Sequence, residues 1–147
     1  MSIVERIQED QKRALKAQEK ERLSALRLLS SELQNRRIEL GRDLTDEDAI
    51  EVLLRALKQR RESEEQFTKG GRPELAVREA AEAEVIRQYL PEPLEDEELD
   101  GMIDAAIAEA GATSMRDMGA VMGRLMPMVK GRAEGSVVSA RVKERLG

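Results

Sequence analysis

The chain has 147 residues, 25 of them basic and 30 acidic, and a formal net charge of −5. It contains one Phe, one Tyr and no Trp, so any core is aliphatic, and the abundance of Ala, Leu, Glu and Arg favours an all-α protein. Cys and His are absent, which excludes disulfides, thiolate or imidazole metal ligands and histidine-activated nucleophiles, but not carboxylate sites or lysine nucleophiles.

The N-terminus carries charge from Glu5 onward and lacks the apolar segment of a signal peptide. No run of about 18 apolar residues occurs in the sequence, so we predict no membrane span. We therefore expect a soluble, cytoplasmic protein, and no residue pattern indicates a cofactor or a metal site.

Residues 2–40 contain neither Gly nor Pro, and leucines recur at helical spacing from Leu23 to Leu40. Gly41 is a natural helix stop. The pattern is compatible with one long helix or with two helices, because the polar run at 18–21 suits either a bend or an exposed turn.

The next helix is expected to begin at Thr45, with Thr45 as N-cap and Asp48 at the capping-box position. It should run toward Phe67 and end near Gly70 and Gly71. Residues 58–66 contain no apolar side chain, so we expect that stretch to project into solvent.

Pro73 suits the first turn of a further helix, which should end at Leu90 because Pro91 and Pro93 follow. Two prolines within three residues predict a hinge between two domains. We place an N-terminal helical domain at 1–91 and a C-terminal three-helix domain at 92–147.

The C-terminal part is expected to form three short helices. The first covers about 96–110, the second begins with Ser114 as N-cap and is ended or kinked at Pro127, and the last is capped by Ser136. A methionine-rich face on the second helix is interpreted as core filling. Gly119 and Gly123 are interpreted as a place where a neighbouring helix packs closely.

Charge is segregated along the chain. Residues 1–91 hold 18 basic and 19 acidic residues, 92–115 hold eight acidic and no basic residues, and 116–147 hold seven basic and three acidic residues. The basic residues gather around the turn 130–136, where glycines and a helix N-terminus suit an anion. One interpretation is a phosphate-binding site; composition alone favours the other, a solvated charged surface in which Gly131 only ends a helix.

Two other groups of charged residues have simpler explanations. Glu62, Glu64 and Glu65 resemble a carboxylate cluster, but general acid–base chemistry needs such groups to converge in a cleft. Arg60 and Arg61 lie in the same polar stretch and are interpreted as solvated. We therefore predict no catalytic residue.

Several segments resemble the YqeY-like family. These are 44–48, 59–63 and 79–91, followed by the Met-Gly repeat at 118–126 and the Lys-Gly-Arg-Ala run at 130–133. The C-terminal half is also similar to the tail domain of GatB, the B subunit of the glutamine-dependent tRNA amidotransferase. The likeness spans nearly the whole chain and is tightest over 44–146.

This resemblance implies an N-terminal helical part, a C-terminal three-helix bundle and a role beside tRNA. In GatB the tail contacts the tRNA elbow while other domains catalyse, so the carbon–nitrogen ligase label that standalone relatives carry does not imply chemistry in this chain. We expect a non-catalytic accessory protein that binds tRNA or another structured RNA, or alternatively a protein–protein adaptor for a translation or amidotransferase component. The expected contact residues are Lys130, Gly131 and Arg132, followed by Arg124, Arg141 and Lys143.

Overall fold

The computed structural model describes residues 1–147 and confirms the predicted all-α fold. Seven α-helices and one short 3₁₀ helix follow one another without a strand. The helices are α1 (Ile3–Lys16), α2 (Lys20–Leu40), α3 (Asp46–Lys69), α4 (Pro73–Arg87), α5 (Asp96–Ala110), the 3₁₀ helix Met115–Asp117, α6 (Met118–Val129) and α7 (Gly135–Leu146). None of them combines the length and apolar character that a membrane span requires.

The chain forms two compact units, Met1–Leu90 and Pro91–Gly147. In the first unit, residues 2–40 are two helices rather than one. Gln18 adopts a left-handed backbone conformation (φ 58°), and the Glu19 amide donates to the Ala14 carbonyl (3.0 Å), which ends α1 and turns the chain into α2.

One aliphatic core holds the four helices of the first unit together. Each helix buries a stripe of apolar side chains, and α3 and α4 form the most extensive helix pair. The fully buried residues include Ile7 of α1, Leu26 and Leu29 of α2, Leu53 of α3 and Ile86 of α4. Tyr89, just after α4, is also buried, and its hydroxyl donates to Asp10 Oδ2 (2.5 Å).

The expectation that residues 58–66 project into solvent is wrong at Arg60, although most of that stretch is exposed. Arg60 is only 9% exposed because α4 folds back against this part of α3. Its guanidinium lies 3.1 Å from Glu32 Oε1 of α2 and 3.4 Å from Glu82 Oε2 of α4. An arginine therefore occupies the place in the helix interface that an apolar residue would ordinarily fill.

The capping box predicted at the start of α3 is confirmed. The Asp48 amide donates to Thr45 Oγ1 (3.2 Å), and the Thr45 amide donates to Asp48 Oδ2 (2.9 Å). Arg42 also donates to Asp48 Oδ2 (2.6 Å). The hydrogen bond from Arg42, together with that from the Thr45 amide, holds the pKa of Asp48 well below its ordinary value of 3.8.

A carboxyl group whose pKa is depressed by folding stabilises the protein above its ordinary pKa, and that contribution is lost as the pH falls toward the folded-state value. We therefore expect Asp48→Asn to have a lower urea midpoint than the wild type at pH 7. The two midpoints should converge progressively below about pH 4. Glu47→Gln, in the same turn but without an arginine partner, should show little change across that range. A constant deficit for Asp48→Asn from pH 7 to pH 2 would contradict the assignment.

The second unit is a three-helix bundle, as predicted. α5, α6 and α7 enclose a core centred on Ile103, Val121, Leu125, Val138 and Val142, all fully buried. Met118, Met122 and Met126 pack against this core, which agrees with their interpretation as core filling, whereas Met115 is largely exposed.

Two details of the second unit differ from expectation. Ser114 does form a capping box with Asp117, but it starts the 3₁₀ helix, and α6 follows directly and continues through Pro127 to Val129. Ser136 is not a cap, since α7 starts at Gly135 with Glu134 in the N-cap position and no side chain bonded to its first amides. The start of α7 therefore depends on backbone geometry and not on a capping side chain.

Candidate nucleic-acid interface

The six residues predicted to contact RNA all lie in the second unit. Arg124 is on α6, Lys130, Gly131 and Arg132 form the turn between α6 and α7, and Arg141 and Lys143 are on α7. Chain proximity brings Lys130, Gly131 and Arg132 together, whereas the other three depend on how the helices pack.

The turn after α6 is a defined corner. Gly131 adopts φ 80°, a conformation that favours glycine, and the Arg132 amide donates back to the Val129 carbonyl (2.8 Å). The Leu94 amide donates to the Arg132 carbonyl (2.8 Å), and Arg132 Nε donates to the Glu92 carbonyl (3.0 Å). These bonds pin the corner to the segment that precedes α5.

Arg141 does not present a free charge. Its Nη2 lies 2.7 Å from Asp96 Oδ1 and its Nη1 lies 3.1 Å from Asp100 Oδ1, so it joins α7 to the acidic helix α5. The hydrogen bond from Arg141 to Asp96 is the main reason that the pKa of Arg141 is raised. One turn further along, Arg145 pairs with Asp100 and Asp104, which extends the same ladder.

Two more of the predicted cations also have acidic neighbours. Arg132 Nη2 lies 3.8 Å from Glu98 Oε2, and Arg124 Nη1 lies 3.6 Å from Glu109 Oε2, both on α5. Lys143 is exposed and makes no ion pair. The six residues therefore do not form one free basic surface, because the acidic segment 92–115 neutralises much of the charge that follows it.

A sequence signal for this pairing was available. Asp96, Asp100 and Asp104 recur every four residues, which places them on one face of a helix, and Arg141 and Arg145 have the same spacing. Matching acidic and basic stripes on two helices of one small bundle predict an interhelical ladder.

The interpretation of the two α6 glycines as a helix-packing site is wrong. Gly119 and Gly123 were expected to admit a neighbouring helix, but a Cβ atom at either position would meet no atom within 4 Å. Gly119, Gly123 and Pro127 are spaced four residues apart and lie on the same exposed side of the helix, which ends at Lys130. We call Gly119, Gly123, Pro127 and Lys130 the α6 glycine face.

The glycine face costs stability without an internal benefit. A glycine inside an exposed helix is less favourable than alanine by about 0.5–1 kcal/mol. Pro127 has no N–H, so the Gly123 carbonyl lacks its usual helical donor and remains an acceptor on the exposed side. A bare helix backbone of this kind suits close approach by another molecule.

Taken together, the fold defines a class: a small all-α protein made of a four-helix unit followed by a three-helix unit that carries the glycine face and its paired cations. The family model of the Yqey-like proteins matches residues 4–146, and the chain belongs to that family.

Two curated relatives are fungal. The chain is 28% identical to the protein "Altered inheritance of mitochondria protein 41, mitochondrial" of Pyrenophora tritici-repentis, across 99% of this chain and 81% of that protein. It is 31% identical to the protein of the same name from Lachancea thermotolerans, across 74% of this chain and 60% of that protein. Both names place those relatives in mitochondria; a cytoplasmic location for this chain stays a prediction from its sequence.

Proposed function

We propose that this protein is a non-catalytic accessory protein that binds structured RNA of the tRNA class through the α6 glycine face and the adjoining corner. The single observation that carries the proposal is the open, uncovered state of Gly119 and Gly123 on an otherwise well-packed helix. The resemblance of the segment 118–133 to the tRNA-contacting tail of GatB gives the class of ligand.

The chemistry of this face suits an RNA backbone. Without Cβ atoms, the helix can approach ribose closely, and the Gly123 carbonyl can accept a hydrogen bond from a 2′-hydroxyl group. Lys130, at the end of the face, would contact a phosphate. No aromatic residue lies in this unit, so contact would depend on shape and backbone rather than on base stacking.

The paired arginines do not prevent such contact. Exposed ion pairs contribute only about 0–1 kcal/mol each, so a phosphate can replace Glu109 beside Arg124 or Glu98 beside Arg132 at small cost. Because the pairs leave little long-range field, we expect recognition to be local and association to be slow compared with that of a basic RNA-binding protein.

The test is tRNA affinity as a function of salt concentration. Gly123→Leu should weaken binding by about tenfold or more by filling the face, and Lys130→Glu should also reduce the slope of log K against log salt by about one. Gly101→Leu is the matched control, since Gly101 is an exposed helical glycine on α5 with no atom near its Cβ position. Its affinity should equal that of the wild type.

The double variant Gly119→Ala, Gly123→Ala distinguishes a loss of tRNA affinity from a loss of stability. Both positions are helical and open, so we expect the variant to be more stable by about 1–2 kcal/mol while binding tRNA more weakly. Unchanged tRNA affinity in this variant and in Gly123→Leu would reject the proposed face, and absence of tRNA binding at low salt would reject the function.

A second candidate function is a protein–protein adaptor for a translation or amidotransferase component. It is favoured by the pairing of Arg124, Arg132 and Arg141 with carboxylates, because a nearly neutral surface suits a protein better than a polyanion. In that case the wild type would form a protein complex that Gly123→Leu abolishes, and neither the wild type nor the variant would bind RNA.

A further inference from the structure

The first unit has a surface that the RNA proposal does not use, on the outer side of the α1–α2 hairpin. Leu15 of α1 is 58% exposed and Leu28 of α2 is 45% exposed, whereas Ala14 and Leu29 beside them in the chain are buried. Two adjoining shallow depressions, of about 330 and 350 Å³, cover this surface, and Lys20 and Leu23 line both of them.

One of the two depressions is a furrow along α2. Its lining residues all belong to α2, and helical spacing puts the two small ones, Ser24 and Ser31, between Leu23 and Arg27 on one side and Leu28 on the other. Small side chains between larger rows create the kind of groove into which the side-chain ridge of a second helix packs. We call Leu15, Lys20, Leu23, Ser24, Arg27, Leu28 and Ser31 the α2 furrow.

Cations without acidic partners line the furrow at Lys20 and Arg27 and lie near it in the chain at Lys12 and Lys16. Lys12, Lys16, Lys20 and Arg27 make no ion pair, whereas most other arginines of this unit do, for example Arg37 with Asp43 (2.8 Å). Between residues 12 and 28 there are six basic and two acidic residues, in a chain whose net charge is −5. Of the two acids, Glu19 lines the second depression, and its carboxylate lies 4.0 Å from Arg22.

Packing of α1 against α2 holds the cations beside the apolar groups. Gln11 Nε2 donates to Ser30 Oγ (2.7 Å), which sets the register between the two helices. Lys12 lies three residues before Leu15 and therefore shares its side of α1. Leu15 in turn lines the second depression together with Lys20 and Leu23.

We propose that the α2 furrow docks an amphipathic helix of a partner protein, with the partner's apolar residues against Leu15, Leu23 and Leu28 and its carboxylates against Lys12, Lys20 and Arg27. An apolar centre with a cationic rim is complementary to such a helix, and helix-in-groove docking uses the same spacing of i, i+3/i+4 and i+7 that the furrow shows.

Other occupants fit less well. RNA would engage the lysines but would leave the leucines against a hydrophilic backbone. A membrane would favour a convex apolar ridge, and here the serines leave a concavity. A second copy related by a two-fold axis would set this cationic surface against an identical cationic surface, and the like charges of Lys20 and Arg27 would repel those of the other copy.

The test uses the full chain and a synthetic helical peptide of about five turns that carries Leu at the docking positions and Glu beside them. Binding is followed by fluorescence anisotropy, and the footprint by ¹H–¹⁵N chemical-shift mapping. We expect shifts confined to α1 and α2 around the furrow, and about tenfold or greater loss of affinity for the peptide in which Lys replaces Glu.

The double variant Arg27→Glu, Leu28→Ser should lose about tenfold or more in affinity for the acidic peptide. Both side chains are exposed, so the thermal midpoint should not change. The matched control is Val77→Ser, Arg78→Glu on α4, another exposed apolar residue beside an exposed cation, and it should bind like the wild type.

Four results would overturn the proposal. The first is equal binding of the acidic and basic peptides, and the second is equal peptide affinity of the wild type and the double variant Arg27→Glu, Leu28→Ser. The third is a chemical-shift footprint outside α1 and α2. The fourth is a footprint on the furrow produced by vesicles containing phosphatidylserine, by tRNA or by self-association, and not by the peptide. Because the furrow and the glycine face belong to different units, failure of one proposal leaves the other standing.

Discussion

Replacing Leu125 by Ala should unfold residues 91–147 while residues 1–90 stay folded. Leu125 is fully buried at the centre of the three-helix bundle. Truncating a buried leucine to alanine costs about 2–5 kcal/mol, and a unit of fewer than about 70 residues rarely has more than 3–5 kcal/mol of stability in all. The loss is therefore comparable with the whole stability of this unit.

The chain contains a natural probe for the separation. Its single tyrosine, Tyr89, is buried in the first unit, so tyrosine fluorescence during urea unfolding reports residues 1–90, and far-UV circular dichroism reports both units. We expect Leu125→Ala to lose the helical signal of α5–α7 before urea is added and to retain the tyrosine transition. Leu28→Ala, at an exposed site, is the control and should change neither signal. Loss of both signals together would show that the two units unfold as one.

The same variant separates the two binding proposals. With α6 unfolded, the glycine face no longer exists, so tRNA binding should be lost. The α2 furrow lies entirely within the first unit and should still bind the acidic peptide with wild-type affinity. A variant that loses both activities would mean that at least one of them is assigned to the wrong unit.

Features that depend on a few neighbouring residues could be predicted from the sequence. The capping box of Thr45 and Asp48 needs only residues three apart, and the left-handed corner at Gly131 needs only a glycine after a helix. The break at Gln18 has no such signal, because a glutamine with positive φ is uncommon and is held there by the packing of α1 on α2.

The candidate site was only partly predictable for the same reason. The presence of cations at Lys130 and Arg132 can be read from the chain, but whether a cation is free depends on which helix packs beside it. The pairing of Arg141 with Asp96 and Asp100 joins residues more than 40 positions apart, and the sequence indicates it only through the matching four-residue spacing of the two sets. Likewise, nothing local distinguishes a glycine that admits a neighbouring helix from Gly123, which has no neighbour.

Replacing Arg60 should have the second large effect on stability, because this side chain is buried only through the packing of α4 against α3. We expect Arg60→Met to destabilise the first unit by about 2–3 kcal/mol, because it leaves Glu32 and Glu82 facing each other without a cation. The figure lies below that of a fully buried pair, since both glutamates are about one-third exposed. Lys58→Met, at an exposed position two residues earlier, should change stability by less than about 0.5 kcal/mol.

The pH dependence of Arg60→Met identifies the cause. Burial is the main reason that the pKa of Glu79 is raised, repulsion from Glu82 adds to it, and Arg60 opposes both. Removing Arg60 therefore raises the pKa of Glu79 further, so the deficit of the variant should shrink as the pH falls from 7 to about 4 and Glu79 becomes protonated. The triple variant Arg60→Met, Glu32→Gln, Glu82→Gln should recover most of the lost stability at pH 7, because it replaces a broken ionic network with neutral groups of similar size. If the deficit is independent of pH and the triple variant is no more stable than Arg60→Met, then Arg60 stabilises this unit through the packing of its methylene chain and not through its charge.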